Sequence, residues 1–125
     1  MMNDKNLEKS ASTFTEAQAE YLADNLIGRL AMASATGQPQ VVPVTYGFEG
    51  RTIAFRGWNL DGSLKFRNLT VNPKVAFVVD EVASVKPWRV RGVEVRGRSE
   101  PIRSREGVTG IRIIPVNIRS WGLGD

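Results

Sequence analysis

The sequence predicts a mainly β (α+β) domain, a small antiparallel barrel of about six strands flanked by two helices. Three observations carry that expectation. At Gly28 the spacing of apolar residues changes from near 3.6 to 2 and largely stays there. Turn signals such as Thr36-Gly37-Gln38-Pro39 and Glu49-Gly50 follow closely enough for an antiparallel meander. The strand-helix-strand alternation of a parallel sheet is missing, and closing the strands on themselves leaves few exposed edges.

Residues 1–12 carry no apolar periodicity and are expected to form a mobile tail ahead of a single domain at 13–125. Thr13 and Glu16 fit a capping box, with Thr13 as N-cap, ahead of Ala17, Tyr21, Leu22 and Leu26 at helical spacing. That pattern predicts a first helix of about four turns ending between Asn25 and Gly28. Arg29 to Ala35 then reads as a strand, Gln40 to Phe48 as a second, and Arg51 to Arg56 as a third. Pro43 cannot donate to a ladder, so the second strand lies at an edge, is bulged, or turns toward a ligand there. A loop over 57–62 leads into a helix that starts after Ser63 and is ended by Asn72-Pro73. The valine-rich run 74–79 reads as a buried strand, Asp80 to Pro87 as a longer connection, and Arg89 to Glu100 as a strand that Trp88 opens. After a polar loop from Ser104 to Gly110, Ile111 to Ser120 completes the set.

Composition narrows the chemistry. At 42% hydrophobic and 24% charged residues the chain is that of a globular domain with no membrane-length apolar run. The polar N-terminal stretch lacks the apolar centre of a signal peptide, and the protein is expected to be cytoplasmic. There is no histidine and no cysteine. That removes disulfides, thiolate nucleophiles, imidazole bases and most zinc or haem ligation, so an enzyme of this composition takes its reactive group from a cofactor. A net charge of +4 points to an anionic partner.

Ser63, Lys65 and Arg67 form the strongest local signal. A capping side chain, unpaired first-turn amides and two cations gather at one helix N-terminus, which suits a phosphate. An ordinary surface helix with a serine cap fits the same residues.

Gly28-Arg29-Leu30-Ala31, Val42-Pro43-Val44, Ser63-x-Lys65-x-Arg67-Asn68-Leu69, Asn72-Pro73-x-Val75-Ala76 and Arg91-Gly92-Val93-Glu94-Val95-Arg96-Gly97 occur in that order. Together they resemble the pyridoxamine 5'-phosphate oxidase-like split-barrel superfamily. The closing Ile118-Arg119-Ser120-Trp121-Gly122 is most similar to its short members that use the deazaflavin coenzyme F420. The resemblance spans about Thr13 to Gly122. It implies a homodimer of six-stranded split barrels with two cofactor sites across the interface. The cofactor phosphate would lie at Ser63 and Lys65, the ring beside Val42, Pro43 and Val44, and Trp121 and the region of Trp88 would approach from the other subunit. Core or dimer packing is the plainer use of both tryptophans.

Arg89, Arg91, Arg96, Arg98, Arg103 and Arg105 crowd one stretch. Strand periodicity puts Arg89 and Arg91 on one face and Arg96 and Arg98 on the other, unless Gly92 carries a bulge. A solvated exterior explains them. So does the acidic tail of F420, which is longer and more anionic than FMN and suits bidentate guanidinium groups. The expected activity is an F420-dependent reductase passing a hydride to a small conjugated acceptor, with the proton coming from Tyr46, a carboxylic acid or, preferably, solvent. The alternatives are an FMN-dependent enzyme of the same fold and a non-catalytic carrier of a flavin, deazaflavin or tetrapyrrole. No nucleic-acid-binding signature accompanies the basic residues, so neither nucleic acid nor membrane is the expected partner.

Overall fold

The structure, a computed structural model, describes residues 13–56 and 64–124, with side chains in the second helix described from Arg67 onward. The expected tail at 1–12 and the loop at 57–62 lie outside the described residues. In chain order the elements are α1 (Glu16–Ala23), β1 (Ile27–Ala33), β2 (Pro39–Thr45), β3 (Gly47–Glu49), β4 (Thr52–Arg56), α2 (Leu64–Val71), β5 (Lys74–Ser84), β6 (Arg89–Ser104) and β7 (Gly107–Trp121). All ladders are antiparallel, in the order β2-β1-β5-β6-β7-β4-β3.

That order explains the barrel. The two edge strands, β2 and β3, are separated in sequence by the single residue Tyr46, so the sheet must curl until its ends meet. The expected continuous strand from Gln40 to Phe48 is therefore two strands, and the count is seven rather than six. Tyr46 makes the break. Its N–H donates to the Leu26 carbonyl rather than to a ladder, and its ring packs edge-on against Phe77 with centroids 5.3 Å apart. Its hydroxyl donates to the Leu22 carbonyl at 2.6 Å. The barrel interior holds Leu30, Ile53, Phe55, Phe77, Val79, Val93, Val95, Ile111 and Ile113, with α1 closing one end through Tyr21 and Leu22.

Three local expectations are corrected. α1 has 8 residues, not four turns, and its N-cap is Thr15. The Thr15 hydroxyl accepts from the Gln18 N–H at 3.1 Å while Gln18 Oε1 accepts from the Thr15 N–H at 2.9 Å, so the box sits two residues later than Thr13 and Glu16. Phe14, just outside it, is buried against Phe48 and anchors the helix start. Residues 80–84 are not a connection but the outer part of β5, where Asp80 faces Gly92 and Glu81 faces Arg91. The expected loop from Ser104 to Gly110 shrinks to a tight turn at Arg105-Glu106, because Ser104 ends β6 and residues 107–110 already pair in β7.

β2 answers the question raised by Pro43. Its ladder with β1 runs without a bulge from Thr45 opposite Ile27 to Pro39 opposite Ala33. Pro39 and Pro43 share parity, so their missing donors face one side, which an edge strand tolerates.

Candidate functional site

Period 2 sorts the expected site residues onto two faces. Val42 and Val44 point inward: Val44 is buried in the core and Val42 packs against it. Of the three residues expected to line the ring, only Pro43 presents its side chain on the outer face, where it is exposed. Ser63 lies outside the described residues, Lys65 belongs to α2 without a described side chain, and Arg67 is exposed on that helix. Trp88 sits in the turn between β5 and β6 and is 65% exposed. Trp121 ends β7 opposite Gly92, against which its indole lies so closely that a Cβ there would come within 2.6 Å of the ring.

The structure brings two of the motif-bearing segments together. Asn68 of α2 donates from Nδ2 to Gln40 Oε1 of β2 at 2.8 Å, and Leu69 beside it is buried in the core. Asn72 Oδ1 accepts from the Lys74 N–H, which fixes the turn from α2 into β5. The helix and the edge strand are thus held as a unit. The two tryptophans stay apart from that unit within one chain: one is in the β5–β6 turn and the other at the end of β7.

The outer face of the sheet can be read from the registers. Pro43, Arg29, Val78, Glu94 and Arg119 lie in one row across β2, β1, β5, β6 and β7. The next row is Val41, Ala31, Ala76, Arg96 and Asn117. Small and unbranched residues at its centre leave two open hollows that share Ala76. One, of about 170 Å³, is lined by Arg29, Ala31, Val41, Val78 and Glu94. The other, of about 520 Å³, has an apolar floor including Val75 and Val116, with Lys74, Arg96 and Arg98 around it. Flat apolar ground bordered by cations suits a planar heterocycle carrying anionic groups. Arg29, which the site reading from sequence passed over, borders it; the signal was its place in the Gly28-Arg29-Leu30-Ala31 motif opposite in phase to buried Leu30.

The arginine stretch divides as periodicity required. The β5–β6 ladder is regular from Lys74 opposite Arg98 to Val82 opposite Val90, so Gly92 carries no bulge, and the irregularities with β7 fall at Arg96/Gly97 and Ile102/Arg103. Arg91 is engaged within the fold, 5.6 Å above the Tyr21 ring and 3.4 Å from Glu81. Arg96 pairs with Glu94 at 3.2 Å, and Arg119 approaches the same carboxylate at 3.9 Å.

Neither described tyrosine is a ready proton donor. Burial pushes the Tyr46 phenol well above its ordinary range, and its proton is committed to the Leu22 carbonyl. The Tyr21 phenol is pushed up to about 12, chiefly by burial and then by the neighbouring Glu81 carboxylate. Among the described residues no cluster of His, Cys, Asp or Glu is arranged to hold a metal ion. None of the described helices is long and apolar enough to cross a membrane.

Comparison with known proteins assigns the chain. A family model described as pyridoxamine 5'-phosphate oxidase matches residues 15–120. The chain belongs to that family. Among its relatives is a 5a,11a-dehydrotetracycline/5a,11a-dehydrooxytetracycline reductase of Streptomyces rimosus subsp. rimosus, 39% identical over 119 residues that cover 88% of this chain and 84% of that protein. Solved structures share the fold of this family member. A conserved hypothetical protein of Mycobacterium tuberculosis superposes with a TM-score of 0.75 at 22% identity, covering 90% of this chain and 87% of that one. An F420 reductase gives 0.66 at 22% identity, covering 85% and 98%. With a named reductase at that level of identity, the protein is an oxidoreductase acting on a small molecule.

Proposed function

We propose that this oxidoreductase is a cytoplasmic homodimer that uses reduced coenzyme F420 to reduce a small, electron-poor acceptor, a carbon–carbon double bond conjugated to a carbonyl. The observation that carries the reading is the outer face around Ala76, an apolar floor bordered by Arg29, Lys74, Arg96 and Arg98. The relative supports the reaction class, since its name denotes reduction of a 5a,11a-dehydro compound.

In this reading Ser63, Lys65 and Arg67 hold the cofactor phosphate at the start of α2, and the Asn68–Gln40 bond sets that helix against the edge strand. The strand carrying Val42, Pro43 and Val44 runs beside the ring, with Pro43 as the exposed side chain. Arg96 and Arg98 suit an acidic tail. Trp88 and Trp121 of a second copy would cover the site and keep water from one face of the ring. The chemistry that such a cofactor supplies when bound is delivery of a hydride to the electron-poor carbon of the acceptor. Solvent supplies the proton to the neighbouring carbon, because the described tyrosines are committed elsewhere. The chain's contribution is orientation and exclusion of water.

FMN is the second reading within the fold, and the cations favour F420 over it because FMN needs only the phosphate site. Side-by-side titration of the apo-protein with F420 and FMN, followed by fluorescence, tests the choice. Micromolar or tighter binding of F420 with much weaker FMN binding is expected. The reverse preference moves the protein to FMN, and binding of neither removes the cofactor assignment.

A further inference from the structure

Four arginines, Arg29, Arg96, Arg98 and Arg119, stand on the outer face near the two hollows, and they are not in the same condition; Arg98 borders only the larger one. Arg96 and Arg119 share the Glu94 carboxylate. Arg29 has no ion pair or side-chain hydrogen bond among the described residues, although it is exposed and lines the smaller hollow. Its neighbours explain why. Pro43 lies across from it on β2, Val78 on β5, and Ile27 and Ala31 precede and follow it on the same face of β1. Glu94 is two strands away, roughly 10 Å at ordinary strand spacing. Among the described residues its nearest neighbours on β1, β2 and β5 are therefore uncharged, and Glu94, held by Arg96 and Arg119, closes the far side of the same hollow.

We propose that Arg29 binds the pyrimidinedione edge of the flavin-type ring and stabilises the negative charge that gathers there when the ring is reduced. This rests on the reading above that such a ring lies along β2. The chemistry is specific to that edge. The two carbonyl oxygens and the ring nitrogen N1 beside one of them are its acceptor groups, while the imide N–H between the carbonyls donates. Ionisation of the reduced ring gathers charge over N1 and the adjoining carbonyl, and a planar guanidinium donates to that pair as a fork. Charge near this part of the ring is one of the ways a protein tunes such a cofactor. The pyrimidinedione edge is common to FMN and the deazaflavin, so the assignment does not depend on which of the two is bound. It gives the Gly28-Arg29 pair separate duties: Gly28 admits the Phe77 ring beneath the strand, and Arg29 faces the ligand above it.

The test separates the ends of the cofactor by titrating wild type, Arg29→Gln, Arg29→Lys and Lys65→Ala with F420 and with its deazaflavin riboside, which has the ring but no phosphate or tail. Arg29→Gln is expected to weaken both ligands by a similar factor, roughly ten-fold to a hundred-fold for one charge-assisted contact. Arg29→Lys should restore part of that loss. Lys65→Ala should weaken F420 and leave the riboside unchanged. A spectrophotometric pH titration of the bound reduced ring provides a readout that a structural role would not move: in Arg29→Gln its ionisation is expected at a pH about one unit higher. Wild type that binds neither F420 nor FMN overturns the parent reading. Wild type that binds normally while Arg29→Gln matches it in affinity and in ring ionisation overturns the Arg29 assignment alone, as does a loss traced to dissociation of the dimer.

Discussion

One absent methyl group decides how β1 meets the barrel interior. A Cβ on Gly28 would come within 2.4 Å of Phe77 Cζ and 2.9 Å of the Val78 carbonyl oxygen. Phe77 cannot withdraw, because it is buried between Tyr46 and Phe55 with ring centroids 5.3 and 5.6 Å away. Gly28→Ala is therefore expected to cost about 1–3 kcal/mol through overpacking, read as a lower urea midpoint at unchanged slope. An unchanged midpoint would show that Phe77 has room to shift. Lys65 is the corresponding residue for binding. Lys65→Ala should weaken F420 by the worth of a charge-assisted contact, about 1.5–3 kcal/mol, without lowering stability. Unaltered affinity would remove Lys65 from the phosphate site.

At the scale of elements, strand pattern was legible where one face meets the core and illegible where both faces meet water. β1, β4 and the start of β5 alternate cleanly around Leu30, Ile53, Phe55 and Val75, and the pattern predicts each of them. The outer part of β5 pairs with β6 beyond the core, so Asp80 and Glu81 read as a loop although the ladder continues through them. Pattern alone does not choose the helix start, because Thr13-x-x-Glu16 and Thr15-x-x-Gln18 both satisfy a capping box in sequence. Burial of Phe14 and Gln18, with Gln18 Nε2 donating to Ser120 Oγ at 2.9 Å, chooses the second, and that partner is 102 residues away. The break at Tyr46 is of the same kind, since its cause is a hydrogen bond to Leu22 and a ring contact with Phe77. Pro43 did signal an edge strand. Which side chains of the site face outward needed the register: the valines flanking Pro43 turn inward, Arg29 stands across from it, and Asn68 reaches Gln40 across 28 residues of sequence.

At the scale of the whole molecule, a chain of 13.8 kDa leaves its candidate site open on the surface of a sheet. Both hollows open outward, and apolar side chains remain uncovered: Val41, beside the smaller hollow, is 64% exposed, and Val82, Val85, Trp88 and Val90 project from the far end of the β5–β6 hairpin. A planar cofactor held only on such a face would be wet on its other side, which opposes hydride transfer to a chosen acceptor. A second copy that covers the face buries these residues and completes the enclosure at once, so dimerisation and cofactor binding should rise and fall together. Val41→Glu tests that coupling, because a carboxylate on the outer side of an edge strand costs the isolated fold little but is desolvated in a covered face. Wild type is expected to sediment at twice the chain mass at micromolar concentration. The variant should sediment as a monomer with an unchanged far-UV spectrum and with F420 affinity reduced at least ten-fold. A wild-type monomer that binds F420 tightly would mean that one chain encloses the ring by itself, and would return Trp88 and the hairpin valines to the role of plain surface.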